Sequence, residues 1–339
     1  MLAAGAQSLP IEQIQLRGDR FRGLGYAEMT AEQRVMLDHT VNSPRAVTNT
    51  TANGPFNVLL RSPEIGDLVQ QLGNSIRFAS GLTPAQRELA TLAAGRAWTS
   101  RYEWYAHARY AADAGIPAAV VDAIAAGRAP DLAALSKDDA LAWRVAEELM
   151  FTRRVTDATY RDALAVLGER RLAAAATLAP YYELVSMILN VDRYPLPSNA
   201  PPGASEALTA LPQGALYRAP SGPVTARPPL SETDYDRAIE SLLARLRLDA
   251  DLSSGERAAV GHAVIEQWNR TPHAEDTSIA SRFASELLAT RGVSDATFAT
   301  ARDAFGERRL VNLIVLIGVS NLHCAKLALA GNACSLDYR

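Results

Sequence analysis

Apolar residues recur at helical spacing along most of the chain, and the strict alternation of a half-buried strand is almost absent. In LTPAQRELATLAAGRAW, residues 82–98, Leu82, Leu89 and Leu92 mark an apolar face that runs to Trp98. Thr83 suits the capping position, because its hydroxyl can accept a first-turn amide. Pro84 suits the first helical position, because it has no amide to leave unpaired. A second helix is predicted from about Arg101 to Ala114, stopped by Gly115. A third opens at Pro117 and ends near Gly127, and Ser136 caps a fourth. Asp157 begins a fifth that ends near Gly168, and an apolar sixth covers about Arg170 to Val191. Upstream, Thr30 and the Ser62–Pro63 pair mark two more helix starts. Residues 42–57, NSPRAVTNTTANGPFN, are polar and aperiodic; they read as a long ordered loop, often a functional feature in a compact domain. The fold class is all-α.

Nine of the eighteen prolines fall between Pro195 and Leu230. That density predicts an extended, semi-rigid linker rather than a folded element. It divides the chain into a helical domain at 1–194, a Pro-rich linker at 195–230 and a smaller helical part at 231–339. The two parts are related in sequence. RRVTDATYRDALAVLGERRL at 153–172 aligns without gaps on RGVSDATFATARDAFGERRL at 291–310, with eleven of twenty positions identical. We read this as an internal duplication. A short set of helices cannot bury its apolar face alone, so the copies are expected to pack on each other or on another chain.

Composition narrows the function classes. Of 339 residues, 48% are hydrophobic and 21% charged, enough apolar matter for a core, and the net charge is -3. That balance carries no nucleic-acid footprint, which would show as a basic face. No uninterrupted apolar run reaches the roughly 18–20 residues of a membrane span. The N-terminal MLAAGAQSLPIEQ lacks a basic region and a long apolar stretch, so no secretion signal is expected. The two cysteines, Cys324 and Cys334, fit neither a disulfide framework nor a CxxC pair; they read as free thiols in a reducing, cytoplasmic setting.

Candidate chemistry gathers in TSRYEWYAHAR, residues 99–109. Glu103 and His107 are four apart, one helical turn on one face. Glu88 lies on the preceding helix, and an antiparallel turn at Trp98–Arg101 could bring it opposite. Two carboxylates around one imidazole make a group able to move protons near neutral pH, since one acid orients the ring and raises its basicity. A plainer reading stays open. Ser100 and Glu103 have capping-box spacing, Glu88 could pair with Arg87 or Arg96, and His107 could sit half exposed on a helix.

RELA followed by YEWYAH resembles the carboxymuconolactone decarboxylase family, within the alkylhydroperoxidase D-like superfamily. GPFNVLLRSPEI, GIPAAVVDAI, RVTDATY and YYELVSMILN before PLP are similar to that family in the same order, over about residues 20–197. The resemblance implies an alkylhydroperoxidase D-like helical bundle, here internally duplicated, with Glu103 and His107 handling protons and Glu88 supporting them. The superfamily's peroxidase branch carries Glu-x11-Cys-x2-Cys-x3-His; this chain has Glu88, Ser100, Glu103 and His107 at those spacings. Neither Ser100 nor Glu103 supplies a thiolate, so thiol peroxidase chemistry is disfavoured. The C-terminal copy looks degenerate. If Arg257 corresponds to Arg87, then Ala258 stands where Glu88 does, no Glu-x3-His follows, and His262, His273 and His323 lack a carboxylate at family spacing. It is expected to be a structural or oligomerisation unit, with His323 in a core or interface.

The function implied is a cofactor-free lyase that removes carbon dioxide from, or moves protons on, a small lactone or keto acid. The alternatives are an isomerase, dehydratase or cyclase of secondary metabolism, or a non-catalytic helical scaffold. Arg96, Arg101 and Arg109 are candidates to hold an anionic substrate. Ser100, Tyr102 and Trp104 are candidates to line its pocket beside Tyr105. No metal cluster or phosphate-binding glycine loop is legible, so neither metal nor cofactor is expected. The expected partners are the small organic acid or lactone and further copies of the chain, as a trimer or a hexamer-like assembly, with neither nucleic acid nor membrane.

Overall fold

The computed structural model describes residues 10–44, 53–201, 208, 222–248, 251–270 and 276–336. Residues 45–52 of the polar loop at 42–57, much of the Pro-rich linker, His273 and the start of the N-terminal segment lie outside the described residues. The described residues form helices and no strand, with one isolated bridge between Gln15 and Gly25. The helices are α1 (Ala31–Val41), α2 (Phe56–Leu59), α3 (Pro63–Phe78), α4 (Pro84–Ala97), α5 (Arg101–Asp113) and α6 (Ala118–Ala125). They continue with α7 (Lys137–Thr152), α8 (Asp157–Asp192), α9 (Asp234–Arg247), α10 (Ser254–Asn269), α11 (Ile279–Thr290) and α12 (Asp295–Leu329).

The starts follow their caps. Thr30, Thr83, Ser136 and Thr156 each accept a first-turn backbone amide, at Gln33, Gln86, Asp139 and Thr159. Such a bond satisfies a donor that the helix itself leaves open. The predicted break at Gly168 is present inside α8, where this glycine has φ 74° and ψ 167°. Gly306 repeats it inside α12 with φ 69° and ψ 169°. A left-handed residue of that kind is costly for any side chain bearing a Cβ, so glycine marks both kinks.

In the N-terminal part α4 lies between α7 and α8, and α5 folds back along α4. At the centre of the molecule α8 lies along α12, and α3 lies along α9. Gly318 of α12 permits part of that approach, since a Cβ there would collide with Leu184 of α8. One apolar core runs through both parts, so the expectation that they pack on each other is met within one chain. From Gly222 to Leu230 the chain is extended and docks on the start of α8. Asp157 donates its amide to the Pro223 carbonyl at 2.9 Å, and Arg227 pairs with Asp157 at 2.5 Å.

Two expectations need correction. Cys324 and Cys334 are joined in a disulfide rather than free; the turn after α12 brings Cys334 back beside the helix. The scan for apolar runs also missed that α8 and α12 are long and apolar enough to cross a membrane. Glu183 and small polar residues interrupt the apolar stretch of α8, and Asn312, Ser320, Asn321 and His323 interrupt that of α12. In each helix 89% and 83% of the apolar window, respectively, is buried against the rest of the molecule, so both serve as core helices.

Candidate functional site

The turn from α4 to α5 is tight. Thr99 has φ 47°, a left-handed conformation that a β-branched residue adopts at a cost. Ser100 donates its amide to the Gly95 carbonyl at 2.9 Å. The reversal brings α5 back along α4 and sets His107 against Glu88. Nδ1 of His107 lies 2.5 Å from Oε2 of Glu88, and Nε2 lies 3.0 Å from Oε1 of Glu103. Glu88, Glu103 and His107 are 3%, 4% and 4% exposed. The capping-box reading does not hold: Ser100 makes no side-chain cap bond, and Glu103 turns to the imidazole.

The cluster has two members that sequence reasoning missed. Arg77, at the end of α3, reaches Oε1 of Glu88 with Nη2 at 2.8 Å and pairs with the Tyr182 hydroxyl through Nη1. The Tyr182 ring stands edge-on to His107 with centroids 4.9 Å apart. Tyr182 lies in the YYELVSMILN stretch that carries the family resemblance, which was the available signal. Arg77 lies in GNSIRF, which carries no motif. Two carboxylates, one imidazolium and one guanidinium then sum to zero, which is how a buried cluster of charges becomes tolerable.

Burial pushes Glu88 up, but His107 and then Arg77 outweigh it and hold the carboxyl at about 2. Burial disfavours the charged ring of His107, but Glu88 and Glu103 overcome that and raise its basicity above the ordinary 6.5. The two acids thus favour the imidazolium form of the ring. Its two acids are held differently. Glu88 is locked by His107 and Arg77, whereas Oε1 of Glu103 is close to Nε2 but makes no well-aligned hydrogen bond. A Cβ placed on Gly95 would meet Cγ and Cβ of Glu103 at 3.7 Å and 3.8 Å, so a small side chain there would touch Glu103 without displacing it.

The remaining candidates disperse. Trp104 is buried in the core. Arg96 is buried and reaches the Thr99 hydroxyl at 3.4 Å. Arg109 is exposed and lies by the Tyr105 ring, away from the imidazole. Ser100, Arg101 and Tyr102 line a cavity of about 610 Å³ at the start of α5, which neither Glu103 nor His107 lines. His323 is partly exposed, 3.3 Å from Glu240, beside a separate cavity of about 230 Å³. Among the described residues no group of three or more His, Cys, Asp and Glu side chains could hold a metal ion.

Residues 63–146, from the start of α3 into α7, match the profile of the Carboxymuconolactone decarboxylase family. That segment contains Arg77, Glu88, Glu103 and His107, whereas Tyr182 lies beyond it. The match is narrower than the 20–197 span of sequence resemblance and does not extend to the C-terminal part. No curated protein and no solved structure matches the chain.

Proposed function

We propose that the N-terminal part is a cofactor-free proton-transfer enzyme, a carboxy-lyase acting on a small carboxylated lactone or keto acid. The observation that carries this reading is the imidazole held at 2.5 Å and 3.0 Å between two buried carboxylates. In such a reaction the carbon–carbon bond breaks, carbon dioxide leaves, and the bonding pair delocalises onto the lactone oxygen as a dienolate. One proton must then reach carbon. His107 supplies it from the imidazolium, Glu88 fixes the ring through Nδ1, and Glu103 passes the proton from Nε2 toward the substrate. Glu103 suits that step because it is the less tightly bonded acid and lies one turn from Ser100 at the cavity wall. The ring regains its proton from solvent after product leaves. A positioned acid of this kind contributes about 10²–10⁴-fold, and pairing the developing charge with fixed donors contributes more.

A second reading has its own observation. The cluster is neutral within itself and lines none of the cavities described above, as expected if it only holds α3, α4 and α5 together in a non-catalytic scaffold. Carboxylated lactones screened for carbon dioxide release, with wild type beside His107→Gln and a peroxide-reduction control, separate the two. The proposal expects release by wild type and its loss in the variant. Equal turnover by both proteins would end it, and dehydration or isomerisation without carbon dioxide would move it to another proton-transfer reaction. We also propose that the chain assembles as a homo-oligomer, which a monomer mass in light scattering would refute.

A further inference from the structure

The cavity at the start of α5 has features that the proton-relay reading does not use. It lies where three turns meet: Thr99–Tyr102, the end of α8 with its following residues Arg193–Leu196, and Arg291–Val293 between α11 and α12. Asn190 ties two of these turns together, donating to the Trp98 carbonyl at 2.9 Å and the Arg291 carbonyl at 2.8 Å. The C-terminal part thereby contributes to the wall of a cavity whose other side is the first turn of α5.

The wall is cationic beyond what its acids offset. Arg193 is paired with Asp295 at 2.6 Å. Arg291 is in no salt bridge among the described residues: it donates to the Leu288 carbonyl at 2.7 Å and stacks over Trp98 at 4.9 Å. The acid acting on it is Glu183, already held twice by Arg153 at 2.9 Å and 2.5 Å. Burial and the neighbouring Arg153 guanidinium both disfavour the charge on Arg291, lowering it to about 10. An anion would relieve that strain. Two further features face the same space. The start of α5 has no side-chain cap, so the positive end of a thirteen-residue helix is open to a ligand. Ser100, fully buried, lines the cavity and its hydroxyl has no hydrogen-bond partner. Tyr102 and Tyr194, which also line the cavity, stand edge-to-face at 4.5 Å, with the Arg17 guanidinium 5.8 Å and 5.4 Å from their ring centres.

We propose that this cavity binds a small unsaturated or aromatic carboxylate, its charged end on Arg291, Arg101, Ser100 and the α5 terminus, all at the cavity wall, and its flat body against Tyr102 and Tyr194. The inference deepens the proton-transfer reading, since it places an acidic substrate at the Ser100 end of the face that carries Glu103 and His107. Binding itself does not depend on catalysis.

Calorimetric titration of the full-length protein with benzoate, benzamide and inorganic phosphate tests it. Benzoate is expected to bind and benzamide, its neutral isostere, is not. Arg291→Gln and Arg101→Gln are each expected to weaken benzoate roughly tenfold, the scale of a lost charge-assisted contact. Arg101 is exposed at the first helical position, so its variant keeps the test valid if Arg291→Gln fails to fold by circular dichroism. Equal binding of benzamide, preference for phosphate, or wild-type affinity in both folded variants would overturn the proposal. His107→Gln is expected to bind benzoate as wild type does. Retained binding with no turnover of any substrate would sink only the proton-transfer reading, and turnover with no carboxylate binding would sink only this one.

Discussion

The two parts of the chain repeat several contacts and differ in the chemistry that those contacts carry. Thr83 and Gln86 form a capping box at the start of α4; Ser253 and Glu256 form one at the start of α10. Arg87 donates to the Leu82 carbonyl, and Arg257 likewise donates to the Leu252 carbonyl. Trp98 donates its indole N–H to Glu183 of α8; Trp268 donates its own to Asn321 of α12. The left-handed residues before the two long helices, Arg153 and Arg291, then cross over: Arg153 stacks on Trp268 at 4.8 Å and Arg291 on Trp98 at 4.9 Å. Each part thus holds the other's tryptophan. We propose on this basis that the C-terminal part is a structural copy of the N-terminal one, paired with it inside one chain.

The difference lies in what the frame carries. Ala258 follows Arg257 where Glu88 follows Arg87, and nine residues lie between the end of α10 and the start of α11, too few for counterparts of α5 and α6. The scaffold persists without the helix that bears Glu103 and His107, and the carboxylate Glu183 becomes the neutral Asn321. A packing frame tolerates any pair of interlocking apolar faces, whereas a proton relay needs particular acids at hydrogen-bond distance.

The largest effect expected is at His107. His107→Gln removes the positive member from between two buried carboxylates, which costs about 3–5 kcal/mol in chemical denaturation, and it abolishes turnover. Ala258→Glu, which restores the acid to the C-terminal part without α5, leaves turnover unchanged. Restored or added activity in that variant would break the contrast.

Acid titration comes next. Glu88 is held at about 2 against an ordinary 4.5. A depressed carboxyl stabilises the fold above its unfolded value, and that contribution is lost as pH falls from about 4.5 toward 2. Its full size is on the order of 3 kcal/mol by linkage. His107 has the opposite sign: its contribution is complete below 6.5 and lost as pH rises through its raised value. Thermal melts across acid pH are expected to flatten in Glu88→Gln.

Smaller effects compare the two tryptophans and the two caps. Trp98→Phe leaves the ionised Glu183 short of a donor and costs about 1.5–3 kcal/mol, against about 0.5–1.5 kcal/mol for Trp268→Phe opposite neutral Asn321. Urea denaturation of the two variants reads the difference, and equal losses would show that the charge at Glu183 is fully served by Arg153. Thr83→Ala and Ser253→Ala are each expected to cost about 1 kcal/mol, equal if the frames are equivalent.

Much of the frame was legible because its signals are local. Thr30, Thr83 and Ser136 announce helix starts through side-chain bonds to their own first turns, and Thr156 does the same one residue before the start predicted at Asp157. Gly168 announces a break through its own backbone. The Glu103–His107 pair was legible for the same reason, being one turn of one helix, and the antiparallel turn predicted at Trp98–Arg101 offered Glu88 as the acid opposite it. Arg77 was not legible, because it reaches Glu88 across a tertiary contact and from a helix end with no pattern of its own. The disulfide was missed because the ten-residue spacing of Cys324 and Cys334 says nothing of the turn that brings them together. The cavity was missed as a unit because Ser100, Arg193 and Arg291 come from three distant turns.

The account turns on a buried imidazolium shared by two acids. Nitrogen-15 resonances of the His107 ring, assigned by their disappearance in His107→Gln, report its protonation directly. Both ring nitrogens are expected to remain protonated as pH rises through the ordinary 6.5, because Glu88 and Glu103 raise the ring's basicity. A ring that becomes neutral at or below 6.5, as a solvated histidine does, would contradict the relay at its starting point.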